Sequence, residues 1–144
     1  MSYSIDVNVL LYASNAGCSE HAKASAFLAE CAASRELLCL AWPTLMGYLR
    51  IATHSAIFKQ PLSHDEAARN VDALLTLPQA RTIGEDDDFW PLYRSLAAEL
   101  PVRGNLVPDA HLAALLRQHG VKTLYTRDRD FRKFGGLNVR DPLV

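Results

Sequence analysis

The chain has 144 residues, 49% of them hydrophobic, and a formal charge of -1 with its five histidines neutral. Length and apolar content suit one sizeable core, so a single domain over residues 1–144 is expected. The near-zero charge excludes polyanion binding through a global basic field and leaves only a local patch for that purpose.

Ser4 to Val7 reads as a first strand, with the switch from strand to helix on Asp6 and with Asn8 as the cap of the apolar turn Val9 to Tyr12. Ala24, Phe27, Leu28 and Cys31 then repeat at the spacing of one helical face. Leu37 to Ala41 is a continuous apolar run of strand length, the pattern of a buried parallel strand. Pro43 suits the first helical position, and Leu45, Tyr48, Leu49 and Ala52 form the stripe of the helix that follows. Ser63 and Glu66 have capping-box spacing, and Ala67, Val71, Leu74 and Leu75 continue a helix that Pro78 stops. A short strand around Arg81 to Ile83 leads through the acidic turn Glu85 to Asp88 into a helix carrying Phe89, Leu92, Tyr93, Leu96 and Leu100 on one face. Gly104 and Pro108 bracket a loop, and Leu112, Leu115 and Leu116 define a helix closed by Gly120. Lys122 to Thr126 is a fourth strand, and Leu137 to Arg140 adds an edge. Strands separated by helical patterns predict an α/β domain whose mainly parallel sheet is covered by helices.

Cys18, Cys31 and Cys39 are odd in number and lack CxxC spacing, which fits core thiols in a reducing cytoplasm better than disulfides or zinc ligands. No basic leader with a long apolar stretch is present, and no segment reaches about 18 consecutive apolar residues, so secretion and membrane spanning are disfavoured and a cytoplasmic location is expected. No GxSxG, P-loop or GxGxxG occurs, which removes the usual support for serine hydrolase, NTPase and dinucleotide readings. The histidines form no nucleophile constellation, and His111, though close to Asp109, is read as structural.

Three aspartates end apolar runs: Asp6 in SIDVNVLLYA, Asp109 in NLVPDAHLAALL and Asp128 in LYTRDRDF. In open parallel sheets ligands bind beyond the carboxyl ends of the strands, and Asp6 and Asp128 both follow predicted strands, while Asp109 lies in the first turn of a helix. Convergent carboxylates repel unless a cation neutralises them or one takes up a proton. Hard cations prefer oxygen donors, so magnesium (Mg2+) or manganese (Mn2+) fits, and phosphodiester hydrolysis is the natural reaction. Asp86, Asp87 and Asp88 form a second acidic cluster, assigned to capping and solvating a helix terminus. Around Asp128, Arg127, Arg129 and Arg132 are candidates for holding phosphate, and the segment suits single-stranded RNA lying across a metal site. Phe131 and Phe134 suit either base stacking or the core, with Phe131 assigned to the core. Arg50 and His54 share the helical face of Gly47 and either reach substrate or point to water.

IDVNVLLYA, WPTLMGYLRIATH, GNLVPDAHLAALLRQHG and LYTRDRDF together resemble the PIN domains, and more narrowly the VapC toxins of bacterial toxin-antitoxin pairs, over nearly the whole chain. The resemblance implies a three-layer α/β/α sandwich, magnesium- or manganese-dependent ribonuclease activity on RNA, inhibition by a cognate antitoxin whose tail covers the site, and a homodimer. It implies Asp6 and Asp109 as metal ligands, Asp128 as the last acid of the site, and Asn8 and Thr126 as supporting polar groups. Gly47 departs from the pattern, standing where similar sequences place a glutamate. An engineered silencing change, a natural variant with weakened or lost catalysis, or a different acid filling the space would each account for it, the last ranked below the others. A catalytically silent fold that binds antitoxin or RNA is the alternative reading, and a phosphatase acting on small phosphoesters is a third.

Overall fold

The computed structural model describes residues 1–144. Its strands β1 (Ser2–Ile5), β2 (Leu37–Ala41), β3 (Ala80–Ile83), β4 (Thr123–Tyr125) and β5 (Asn138–Arg140) form one sheet in the order β3-β2-β1-β4-β5. Every pairing is parallel, so each connection must cross from one end of the sheet to the other. Helices α1 (Val7–Ala13) and α2 (His21–Ala33) carry β1 to β2, and α3 (Trp42–Ala52) and α4 (His64–Leu75) carry β2 to β3. Helices α5 (Phe89–Ala97) and α6 (Leu106–Gln118) carry β3 to β4, and a short 3-10 turn at Arg129–Lys133 precedes β5.

The sheet is buried on both faces, which is why β2 reads as an unbroken apolar run. Leu38 and Leu40 pack with Val9, Leu10, Leu45, Tyr48 and Ala67 from the α1–α4 layer. Cys39 and Ala41, pointing the other way, pack with Leu96, Leu112, Leu115, Leu116 and Phe131. The two-residue period of the strand thus divides one sequence run between two cores, and the α/β/α layering follows.

Local signals hold well where they are strong. Ser63 Oγ accepts from Glu66 N and Glu66 Oε1 accepts from Ser63 N, both at 3.1 Å, closing the capping box expected at the start of α4. All three cysteines are free, with Cys31 and Cys39 buried. No helix is long and apolar enough to cross a membrane.

β4 is shorter than expected by Lys122 and Thr126, β3 and β5 shift by one residue at their starts, and α3 begins one residue before Pro43; three further boundaries differ by more. β1 begins and ends two residues early, because Asp6 already caps α1: its Oδ1 accepts from Val7 N at 2.7 Å, and Asn8 lies inside the helix instead of capping it. Pro108 is not part of a loop; it sits in the first turn of α6, where the backbone N–H it lacks would have had no intrahelical partner. Helix α5 stops at Ala97, so Leu100 packs on the second core from beyond the helix end.

Candidate metal centre

From β1 the chain moves outward to β2 and β3, then returns to the other side of β1 for β4 and β5. The winding reverses between β1 and β4, and the carboxyl ends of the two strands flanking such a reversal border a crevice. Ile5 and Tyr125 are register partners there, and Asp6 N donates to Tyr125 O at 2.9 Å. Asp6 therefore leaves one strand beside Thr126 leaving the other.

The Thr126 hydroxyl, itself buried, organises this end. It donates to Asp6 Oδ2 at 2.7 Å and accepts from Asp128 N at 2.9 Å and from Asn8 Nδ2 at 3.3 Å. One side chain thus ties β1, α1 and the segment after β4 together, using the donor and both acceptor positions of a hydroxyl. Asp128 in turn caps the 3-10 turn, its Oδ1 accepting from Asp130 N at 2.9 Å. The Asn8 Oδ1 atom is buried without a protein partner.

Carboxylate oxygens of Asp109, Asp128 and Asp130 lie within 4.8 Å of one another. Asp6 is outside that tight group but close enough to be felt electrostatically. Burial first, and then the charges of Asp128, Asp6 and Asp130, push the Asp109 carboxyl up to about 7, with Lys133 opposing weakly. Asp109 sits in the first turn of α6, where the helix dipole favours an anion, so burial and repulsion outweigh the dipole. Burial also raises Asp6, against the lowering effect of its hydrogen bonds to Thr126 and Val7. Perturbed carboxyls in one crevice are the electrostatic mark of a functional site.

The donor set suits a hard divalent cation: every donor is a carboxylate oxygen, with no cysteine or histidine in the group. Ligand oxygens around one magnesium-sized ion lie on the order of 3–4 Å apart, so the three acids reach an ion by closing slightly or through the waters such ions keep. The lone pairs of Asp6 are only partly used by its two hydrogen bonds.

The remaining candidates divide. Gly47 lies on α3 toward the start of α1: a Cβ built there meets only Val7 Cγ2, at 3.9 Å, so a larger side chain is not excluded by contact. Arg127 is held by Asp141 at 3.1 Å, while Arg129 is exposed beside Asp128. Arg50 is exposed in the last turn of α3. His54 Nδ1 accepts from Ala56 N, a local turn contact. Phe131 and Phe134 are both buried in the second core, so neither offers a stacking surface. His111 pairs with Glu85 and packs edge-on against Phe89, a tie between α6 and the segment after β3. Asp86 Oδ1 accepts from Asp88 N ahead of α5. Asp130 is the acid that strand-end reasoning misses; the signal was the alternation Asp128-Arg129-Asp130 within a single turn.

The PIN domain family model matches residues 3–137. Ribonuclease VapC48 of Mycobacterium tuberculosis is 44% identical over 142 residues, covering 99% of this chain and 98% of the relative. Ribonuclease VapC43 of the same species is 37% identical over 139 residues, covering 96% and 94%. Among solved structures, VapBC2 from Rickettsia felis bound to a promoter DNA fragment matches at 17% identity with a TM-score of 0.70, covering 98% of each chain. VapC20 of M. tuberculosis, described as a sarcin-ricin loop cleaving toxin, matches at 17% identity with a TM-score of 0.67, covering 94% of this chain and 98% of the other. At such identity the two structures speak to the fold alone, whereas the family model and the sequence relatives span both halves of the acidic crevice. The chain belongs to the PIN-domain family, and within it to the VapC ribonucleases, the toxins of toxin-antitoxin systems.

Proposed function

We propose that this chain hydrolyses RNA phosphodiester bonds at a magnesium or manganese ion held by Asp109 and Asp128, with Asp6 completing the charge and Asp130 as an additional ligand. The observation that carries the reading is the three carboxylates with oxygens within 4.8 Å of one another at the strand reversal. A divalent cation relieves their repulsion and, when bound, supplies counter-charge and Lewis acidity at a phosphodiester. The protein's own groups divide the remaining work. Thr126, itself held by Asn8, orients Asp6, the 3-10 turn fixes Asp128 relative to Asp130, and Asp109 brings its carboxylate to the ion from the first turn of α6.

An antitoxin partner belongs to the same reading. Structural neighbours include a toxin-antitoxin complex from Klebsiella pneumoniae. An apolar groove of about 450 Å³ between α1, α2, α3 and α4, lined by Leu10, Leu28, Tyr48, Leu62 and Leu74, is a surface that the apolar side chains of such a partner would fill. A homodimer is proposed on the family's pattern.

Gly47 favours a second reading, a silent fold that binds RNA or antitoxin without cutting, since glycine supplies neither ligand nor base. Manganese-dependent cleavage of a structured RNA by this chain beside its Gly47→Glu variant, with Asp109→Asn and chelator as controls, separates the two. Cleavage by the parent that both controls abolish is the expected result. Cleavage only by the glutamate variant would support the silent reading, and cleavage surviving Asp109→Asn would refute the ligand assignment.

A further inference from the structure

The 3-10 turn Arg129–Lys133 together with its C-cap Phe134 carries two pairs of residues three apart. A 3-10 helix has three residues per turn, so such pairs eclipse on one face. Phe131 and Phe134 form the inner pair, both buried against α6 and the second core. Arg129 and Arg132 form the outer pair, both exposed. The aromatic pair anchors the turn, and its anchoring fixes the direction in which the two guanidiniums leave it.

They leave toward a groove of about 430 Å³ that borders Thr126 and Asp128 of the acidic crevice. Arg127 and Arg140 also line it, so four guanidiniums face the two carboxylates Asp128 and Asp141. In a chain with a net charge of -1, this is a marked local excess of positive charge. Two of the four are committed to the walls. Arg127 donates Nε to Asp141 at 3.1 Å, and Arg140 donates Nε and Nη2 to the Asn138 side-chain oxygen at 3.1 and 3.2 Å, with the amide oriented to satisfy its hydrogen bonds. Arg129 and Arg132 make no ion pair and no side-chain hydrogen bond, in contrast to their neighbours Asp130 and Lys133, which pair with each other at 3.4 Å. An unpaired guanidinium presents its donor fork to phosphate geometry.

We propose that Arg129 and Arg132 form a phosphate-binding subsite for unpaired RNA, gripping the backbone next to the bond cleaved at the acidic crevice and reading no base there. The inference rests on the nuclease reading for the identity of that bond. Continuity supports RNA as the occupant: a phosphodiester at the acids puts its neighbouring phosphates within reach of the groove that Asp128 borders. Indifference to base identity follows from the aromatics. Both rings that would have stacked on bases are in the core, which leaves charge as the main attraction, and charge is salt-sensitive and sequence-tolerant.

Fluorescence anisotropy of a labelled octaribonucleotide tests the subsite directly. Binding is measured with calcium in the buffer and over a range of salt, for the parent, Arg129→Gln/Arg132→Gln and Arg129→Lys/Arg132→Lys. The glutamine pair is expected to weaken binding at least about tenfold and to flatten the slope of log affinity against log salt by about 1.4, the share of two single-strand phosphate contacts. The lysine pair is expected to keep the parent slope, and an abasic nucleotide at any one position is expected to leave parent affinity within about twofold, because no base is stacked in the groove. Unchanged affinity and slope in the glutamine pair would overturn the proposal, as would a parent that binds an octaglutamate peptide but not the oligonucleotide. RNA that binds in calcium and is released by the glutamine pair, yet is not cut in manganese, would support the subsite and refute the nuclease reading alone.

Discussion

Replacing Thr126 by valine removes one oxygen from the crevice and little else, because the side chain is buried and the two residues are close in volume. Three hydrogen bonds disappear: the donation to Asp6 Oδ2 and the acceptances from Asp128 N and Asn8 Nδ2. A hydrogen bond to a buried carboxylate contributes about 1.5–3 kcal/mol, and stranding a part-buried N–H costs about 1 kcal/mol more. The new methyl returns something under 1 kcal/mol by burial, leaving a net loss of about 2–3 kcal/mol. For a chain of this size that corresponds to a fall in Tm of roughly 6–12 °C. The deficit depends on pH with a definite sign. Asp6 already titrates above its ordinary value because burial outweighs its hydrogen bonds, and the one to Thr126 is the larger of the two lowering effects. Without that hydroxyl the folded-state pKa rises further while the unfolded one does not. The folded variant then holds its proton to higher pH than the unfolded chain, so its stability falls as pH rises through that interval, and falls further than the parent's. Thermal melts followed by circular dichroism in chelator, at about pH 5 and about pH 8, should show the larger deficit at the higher pH. A loss under about 2 °C at both, or a larger loss at the lower pH, would refute the role given to this hydroxyl.

Because the Asp109 carboxyl is pushed up to about 7, protons compete with a cation below that pH. Calorimetric manganese affinity should therefore fall by up to about tenfold per pH unit below neutrality, and a flat profile would remove Asp109 from the ligand set. Asp130→Asn should weaken manganese binding by at least about tenfold if its carboxylate belongs to the cluster, whereas Asp87→Asn, ahead of α5, should leave it unchanged; equal behaviour of the two would make Asp130 an ordinary turn residue. Gly47→Ala should raise stability by about 0.5–1 kcal/mol in chemical denaturation, because an interior helical glycine costs roughly that much and its Cβ meets only Val7 at 3.9 Å. A loss of stability would mean that the glycine is required by packing.

Much of the fold is legible in the sequence, for reasons that are local. β2 is legible with its full bounds because a strand buried on both faces is apolar at nearly every position. The start of α4 is legible because the capping box is a four-residue pattern with its own hydrogen bonds. Local pattern is ambiguous where two local rules compete. Pro108 is a breaker in general and harmless in a first turn, and Asp6 serves as cap where Asn8 offers the same chemistry two residues later.

The sequence by itself determined the order of strands and helices, a mainly parallel sheet, and that Asp6, Asp109 and Asp128 stand at element ends. Those properties depend on periodicity, capping and crossover length, all within about one element. Only the tertiary structure decided the order β3-β2-β1-β4-β5 and, through it, which acids meet. It set Thr126 against Asp6 across 120 positions of chain, drew Asp130 into the cluster, left Asp86 to Asp88 to the start of α5, and turned both phenylalanines of the 3-10 turn into the core. The direction a side chain takes and the company a charge keeps are fixed by long-range strand pairing and the packing of the two helical layers, which no spacing along the chain encodes.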